Sequence, residues 1–228
     1  MKRQPLKDGE ELFDVLVLDA PRPGRTVLFA VGGGGSPERH LPLLTSLMEH
    51  GCTVVAPYFE RLTLTPTEGD LLLRARRLRI ALDAVATPGI PVVGVGHSIG
   101  TTMLLAFAGG QPWMRAGQRL GIEADPRLER LVLLGPATGY FQAPGALSAV
   151  RTPILAWAGA NDMITPPAQA ELLKKALGAQ VPLDLRVVEG AGHFSFMHTP
   201  PPQATDSLPN REAFLAILTP EVCRFVMS

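Results

Sequence analysis

The chain has 228 residues, 46% hydrophobic and 18% charged, a balance that buries a sizeable core and excludes a disordered polymer. Its 21 Lys plus Arg are offset by 21 Asp plus Glu, so no surplus of positive charge draws in nucleic acid, and the expected partner is a small, roughly neutral molecule. No apolar run reaches about 18 residues, so no membrane span is expected, and the basic start Met1-Lys2-Arg3 lacks the apolar stretch of a secretory signal.

The elements alternate along the chain. Asp14–Asp19 alternates polar and apolar residues and reads as an antiparallel or edge strand. Thr26–Val31 is a continuous apolar run, as expected of a strand buried on both faces, and it empties into Gly32-Gly33-Gly34-Gly35. Ser36 and Pro37 are placed to start a helix that runs to His50 and stops at Gly51. Thr53–Ala56 is the next strand. Glu68–Ala86 is a helix whose Leu71, Ala75, Leu78, Leu82 and Val85 make one apolar face. Arg74, Arg76, Arg77 and Arg79 on that segment read as a solvated face.

Pro91–Val95 is a buried strand leading into Gly96-His97-Ser98-Ile99-Gly100, with a helix over Thr101–Ala108. Gly109–Pro126 is less regular, a short excursion or a small lid. Strands follow at Leu128–Leu134, Pro153–Ala158 and Leu183–Val188, with helices over Pro167–Leu177 and Asn210–Met227. Strand and helix alternating in this way predict an α/β fold, with a mostly parallel sheet covered by helices on both faces and little or no lid. No shift in composition divides the chain, so residues 1–228 are read as one domain. Cys52 and Cys223 form no CxxC pair and no disulfide framework, and read as reduced, buried thiols of a cytoplasmic protein.

Gly96-His97-Ser98-Ile99-Gly100 matches G-x-S-x-G between a strand and a helix. A sharp turn there lifts a serine hydroxyl clear of the sheet and sets it at a helix N-terminus, where free N–H groups favour developing negative charge. A serine hydroxyl needs a base, and a base needs a carboxylate to fix its tautomer. His193 stands just past the last strand and Asp162 just past the one before it. Ser98, Asp162 and His193 are therefore the candidate nucleophile, acid and base, each following a different strand. Their chain order Ser, Asp, His is the one found on α/β-hydrolase sheets.

The tetrahedral intermediate of acyl transfer also needs N–H donors for its oxyanion. Ile99, directly after the serine, is one candidate. The other is expected in the glycine run, with Gly33 first and Gly34 next.

These motifs carry a resemblance. Gly-His-Ser-Ile-Gly at 96–100, Gly-Ala-Asn-Asp at 159–162 and Gly-Ala-Gly-His at 190–193 resemble the nucleophile, acid and base segments of the α/β-hydrolase superfamily. Val31-Gly32-Gly33-Gly34-Gly35-Ser36 is similar to that family's His-Gly-x-Gly-Gly-Ser loop, with valine in place of the histidine and Gly33 at the oxyanion position. The short chain and its tail, His193-Phe194-Ser195-Phe196 followed by His198 and Pro200-Pro201-Pro202, resemble the dienelactone-hydrolase-like branch. That enzyme uses cysteine where Ser98 stands here. The resemblance therefore implies a general hydrolase of carboxylic esters or thioesters, acting on a small acyl substrate with no cofactor and no metal. Acyltransferase, lactonase and peptidase activity on the same residues stay open, as does a non-catalytic binding module. Monomer and homodimer are both open.

The remaining histidines divide as follows. His97 is expected to pack beneath the turn, His198 is the alternative base, and His40 and His50 are expected to be solvated on the first helix. No histidine pair has metal-ligand spacing on one helix.

Overall fold

In the strand Arg25–Ala30, Val27 and Phe29 face one side and Leu28 and Ala30 the other, and all four are buried. A strand apolar on both faces belongs inside a sheet covered by helices on either side. The computed structural model describes residues 1–63, 65–114 and 117–228 and contains that sheet. Its eight strands are β1 (Lys2–Asp8), β2 (Glu11–Leu18), β3 (Arg25–Ala30), β4 (Cys52–Pro57), β5 (Val92–His97), β6 (Leu128–Leu134), β7 (Ile154–Gly159) and β8 (Leu183–Val188), in the order β1-β2-β4-β3-β5-β6-β7-β8. β1 and β2 pair antiparallel, as do β2 and β4. Every later pairing, from β3 with β4 through β7 with β8, is parallel.

Helices α1 (Leu41–Glu49) and α5 (Arg211–Met227) cover one face, with Leu43, Leu44, Leu47, Leu218 and Val222 packing onto Val27, Phe29, Val93 and Val95. Helices α2 (Glu68–Val85), α3 (Ile99–Phe107) and α4 (Pro167–Leu177) cover the other face, with Leu71, Leu78, Leu104 and Leu173 in its core. α2 begins at a reciprocal cap: Thr67 Oγ1 accepts the Asp70 N–H and the Asp70 carboxylate accepts the Thr67 N–H.

Two expectations are corrected and one strand was not anticipated. Lys2–Asp8 is an outer strand of the sheet. Pro5 and the exposed, charged side chains around it suit an edge that must not recruit another strand. The helix expected from Pro37 to His50 is a 3-10 turn, Pro37–His40, followed by α1. Pro42 has no N–H to donate back, so the α-ladder cannot run unbroken from Pro37, and Ser36 makes no side-chain cap. His40, expected in solvent, is buried against Phe29 with ring centroids 5.0 Å apart. His50 is exposed at the end of α1, its Nδ1 2.7 Å from the Ser46 carbonyl.

The described parts of the 109–126 excursion are fastened to the loop after β6. Gln111 and Trp113 donate backbone hydrogen bonds to Ala146 and Tyr140. Trp113, Met114 and Ile122 pack half-buried on the core. Among the described residues, no helix is long and apolar enough to cross a membrane.

Candidate active site

β5 ends at His97 and α3 begins at Ile99, so Ser98 has a single residue in which to reverse from strand to helix. It does so at φ 56° and ψ −129°, the one non-glycine residue with positive φ among the described residues. That conformation is costly and survives only where its surroundings impose it. Here they do. The Ser98 N–H donates to the Leu134 carbonyl at 2.9 Å, and the Ser98 carbonyl accepts the Thr101 hydroxyl at 2.6 Å. Gly100 lets α3 press onto β3, since a Cβ there would collide with the Ala30 carbonyl. Gly96 admits Leu104 and the first turn of α3 in the same way.

The turns after β5, β7 and β8 then place three side chains in a line. Ser98 Oγ lies 2.9 Å from His193 Nε2, and His193 Nδ1 lies 2.8 Å from Asp162 Oδ2. With Nδ1–H donating to the carboxylate, Nε2 is left as the acceptor facing the hydroxyl. Asp162 and His193 are both buried. Asp162 Oδ1 accepts the N–H groups of Ile164 and Thr165 at 2.8 and 2.7 Å, and Oδ2 accepts the Thr165 hydroxyl at 2.7 Å. Burial alone would raise the Asp162 carboxyl. His193 and the Thr165 donors outweigh it and hold the carboxyl below its ordinary value. Asp162 is thus anchored as an anion by its own turn, able to orient the imidazole and to stabilise its protonated form.

Thr165 is a member of this group that sequence reasoning missed. Its hydroxyl donates to Asp162 and lies 3.1 Å from His193 Nδ1, so it buttresses both partners. A threonine three residues past the candidate acid was the available signal. Gly135, at the end of β6, also went unread, although a Cβ there would stand 3.5 Å from both Asp162 Oδ2 and His193 Nδ1.

His97 lies beneath the turn, fully buried. Its Nε2 is 3.0 Å from the His193 carbonyl, and its ring sits between those of His40 and His193, at centroid distances of 5.2 and 4.8 Å. Burial first, then the neighbouring histidines, push His97 well below its ordinary value. Burial likewise pushes His40 down to about 3. Both rings are therefore neutral near pH 7. His198 is half-buried beside Arg211, which donates to the Met197 and His198 carbonyls.

The glycine run passes close to the serine: a Cβ on Gly32 would lie 3.3 Å from Ser98 Cβ. Gly33 and Gly34 donate no backbone hydrogen bond among the described residues, and Ile99 opens α3 with its N–H likewise free. The sequence missed what holds this loop. Arg74, expected on a solvated face, is buried, and its guanidinium donates to the Gly32 and Glu60 carbonyls at 3.1 and 3.0 Å. Of its neighbours, Arg76 is exposed as expected, while Arg77, which also pairs with Asp8 on β1, has only 12% of its side chain exposed. Among the described residues, no three His, Cys, Asp or Glu side chains converge to hold a metal ion.

A mostly parallel eight-stranded sheet, flanked by helices and carrying a serine at a strand-to-helix elbow, is the α/β-hydrolase fold expected from the sequence. Solved structures agree. An alpha-beta serine hydrolase homologue from Coxiella burnetii aligns at TM-score 0.67 and 16% identity, over 98% of this chain and 96% of that one. Dienelactone hydrolase from Anabaena variabilis aligns at TM-score 0.68 and 20% identity, over 99% and 96%. Thermogutta terrifontis esterase 2, in a structure phosphonylated by cyclosarin, aligns at TM-score 0.64 and 15% identity, over 99% and 94%. No protein-family model and no curated protein matches the sequence.

Proposed function

We propose that the chain, acting as one domain over residues 1–228, is a serine hydrolase of carboxylic esters or thioesters. The observation that supports this reading best is the unbroken line of hydrogen bonds from Ser98 Oγ through His193 to Asp162, at 2.9 and 2.8 Å, on a backbone turn held at φ 56°. A serine with an ordinary structural role needs neither that backbone conformation nor a base oriented by an anchored carboxylate.

In this mechanism Ser98 Oγ attacks the acyl carbon and its proton passes to His193 Nε2. The carbonyl oxygen becomes an oxyanion, received by the N–H groups of Ile99 and Gly33. As the tetrahedral adduct collapses, the bond to the leaving oxygen or sulfur breaks, and His193 returns the proton to the departing alcohol or thiol. Water then repeats the sequence: His193 takes one of its protons, the hydroxide oxygen bonds to the acyl carbon, and the acid leaves as Ser98 recovers its proton. Asp162 orients the imidazole throughout and offsets its positive charge. The similar Thermogutta esterase is phosphonylated by cyclosarin, which makes a phosphonate a fitting probe of Ser98 here.

Turnover of p-nitrophenyl acetate and of a short acyl thioester tests the reading. Ser98→Ala and His193→Ala should each lower kcat by about 10⁶-fold, the size of effect expected when the nucleophile or the base of such a unit is removed. His198→Ala should stay close to the parent rate. Equal losses at His193 and His198 would defeat the assignment of the base.

A further inference from the structure

Arg74 is 2% exposed, and no carboxylate forms an ion pair with it among the described residues. A buried cation is expensive, and the Asp70 carboxylate one turn earlier, which favours its charge without forming an ion pair, is only part of what holds it in place. What surrounds it is a set of backbone carbonyls. The guanidinium donates to the Gly32 carbonyl at 3.1 Å and the Glu60 carbonyl at 3.0 Å, and stands 3.5 Å from those of Val31 and Gly33. It also lies over the Phe59 ring, 4.6 Å from its centroid. Burial lowers it to about 10, so it stays charged near neutral pH.

The loop's other hydrogen bonds share this polarity. Gly32 O also accepts the Gly35 N–H at 3.1 Å, Gly33 O accepts the Leu62 N–H at 2.8 Å, and Gly35 O accepts the Phe59 N–H at 2.9 Å. The carbonyls are engaged, while the N–H groups of Gly33 and Gly34 have no partner among the described residues. In a planar trans peptide the carbonyl and the next N–H point in opposite directions. Fixing the Gly32 carbonyl toward Arg74 therefore turns the Gly33 N–H away from it. A positive charge behind the carbonyl also polarises that peptide and strengthens its N–H as a donor. A lysine supplies a point charge but not the planar fork that spans several carbonyls.

We propose that Arg74 is a positioning residue for oxyanion binding: by gripping the Gly32 carbonyl from behind, it aims the Gly33 N–H at the carbonyl oxygen of an acyl group attached to Ser98. The inference rests on the serine-hydrolase reading above and assigns a residue that acts on the reaction without touching the substrate.

The test compares the parent with Arg74→Gln, Arg74→Lys and Ser98→Ala. The readouts are kcat and KM on p-nitrophenyl acetate, the inhibition constant of an aryl trifluoromethyl ketone, which forms a tetrahedral oxyanion on a serine, and Tm. Arg74→Gln should lose about 10²-fold in kcat, the effect of one misplaced oxyanion donor, with KM little changed. Ketone affinity should fall in proportion to kcat/KM, and Arg74→Lys should lie between parent and Arg74→Gln on both measures. Folded variants with parental kcat and ketone affinity overturn the inference, as does a loss confined to KM or to Tm. If Arg74→Gln does not fold, Arg74→Lys decides by the same two readouts. Should Ser98→Ala hydrolyse the ester at the parental rate, the serine-hydrolase reading fails and the inference falls with it. Should Ser98→Ala be inactive while both Arg74 variants match the parent, only the inference fails.

Discussion

Ser98 occupies a backbone conformation that an L-residue ordinarily avoids, and its neighbours explain why it stays there. Leu134 and Thr101 take its N–H and its carbonyl, so relaxing the turn would break both hydrogen bonds. Asp162 and His193 are held with similar redundancy. Asp162 receives two N–H groups and a hydroxyl from its own turn in addition to the imidazole. Thr165 is the informative position because it touches both partners. Thr165→Val keeps the shape and removes the hydroxyl, leaving Asp162 one donor short. We expect kcat to fall about tenfold with KM little changed, and stability to fall by about 1.5–3 kcal/mol, the range for a hydrogen bond to a charged group. Steady-state kinetics and urea unfolding of the variant check this, and an unchanged kcat would show that Thr165 has no part in orienting His193.

Among the elements, legibility followed how cleanly each was bounded. β6, α4 and β8 fall at their expected limits, where Gly135 follows β6, Gly178 follows α4 and Pro182 precedes β8. β1 was illegible because Pro5 and its charges argue against a strand, and only its pairing with β2 makes it one. Arg74 and His40 are buried against expectation for a shared reason: a charge-bearing type suggests solvent, but position on the helix decides which face it takes. Arg74 comes three residues after Leu71 and four before Leu78, which sets it on the apolar face of α2. His40 precedes Leu43, Leu44 and Leu47 at the same spacing.

The buried histidines have a consequence for the helix layer they pack under. His40 and His97 are held neutral in the fold, whereas an unfolded chain protonates both below about pH 6.5. Their folded values are lowered, so stability is complete above that pH and declines as pH falls toward about 3 for His40. Each contributes a slope of about 1.4 kcal/mol per pH unit between pH 6 and 5, above the range where the depressed carboxylates titrate. His40→Phe keeps a ring between Phe29 and His97 and should lower the measured slope by about that amount. Urea unfolding from pH 7 to 5 gives the comparison, and an unaltered slope would mean that His40 is not the group being protected from protons.

At the scale of the molecule, the parallel order of β3, β5, β6, β7 and β8 brings the residues after their carboxyl ends to one edge. That is why Ser98, Asp162 and His193, separated by 31 and 95 positions from their hydrogen-bond partners, can meet. Much of this was legible, since strand-terminal motifs state which turn each residue occupies and a parallel sheet states that those turns share an edge. What was not legible depends on packing across the sheet: the grip of Arg74 on the glycine loop, the buttress of Thr165, and the histidine row behind His193. Ser98 is the proposed nucleophile. Its most direct test is to treat the protein with a fluorophosphonate and map the adduct by peptide mass spectrometry. One phosphonyl group per chain is expected on Ser98, with none on the Ser98→Ala variant. Stoichiometric labelling of that variant, or an adduct on another residue of the parent, would contradict it.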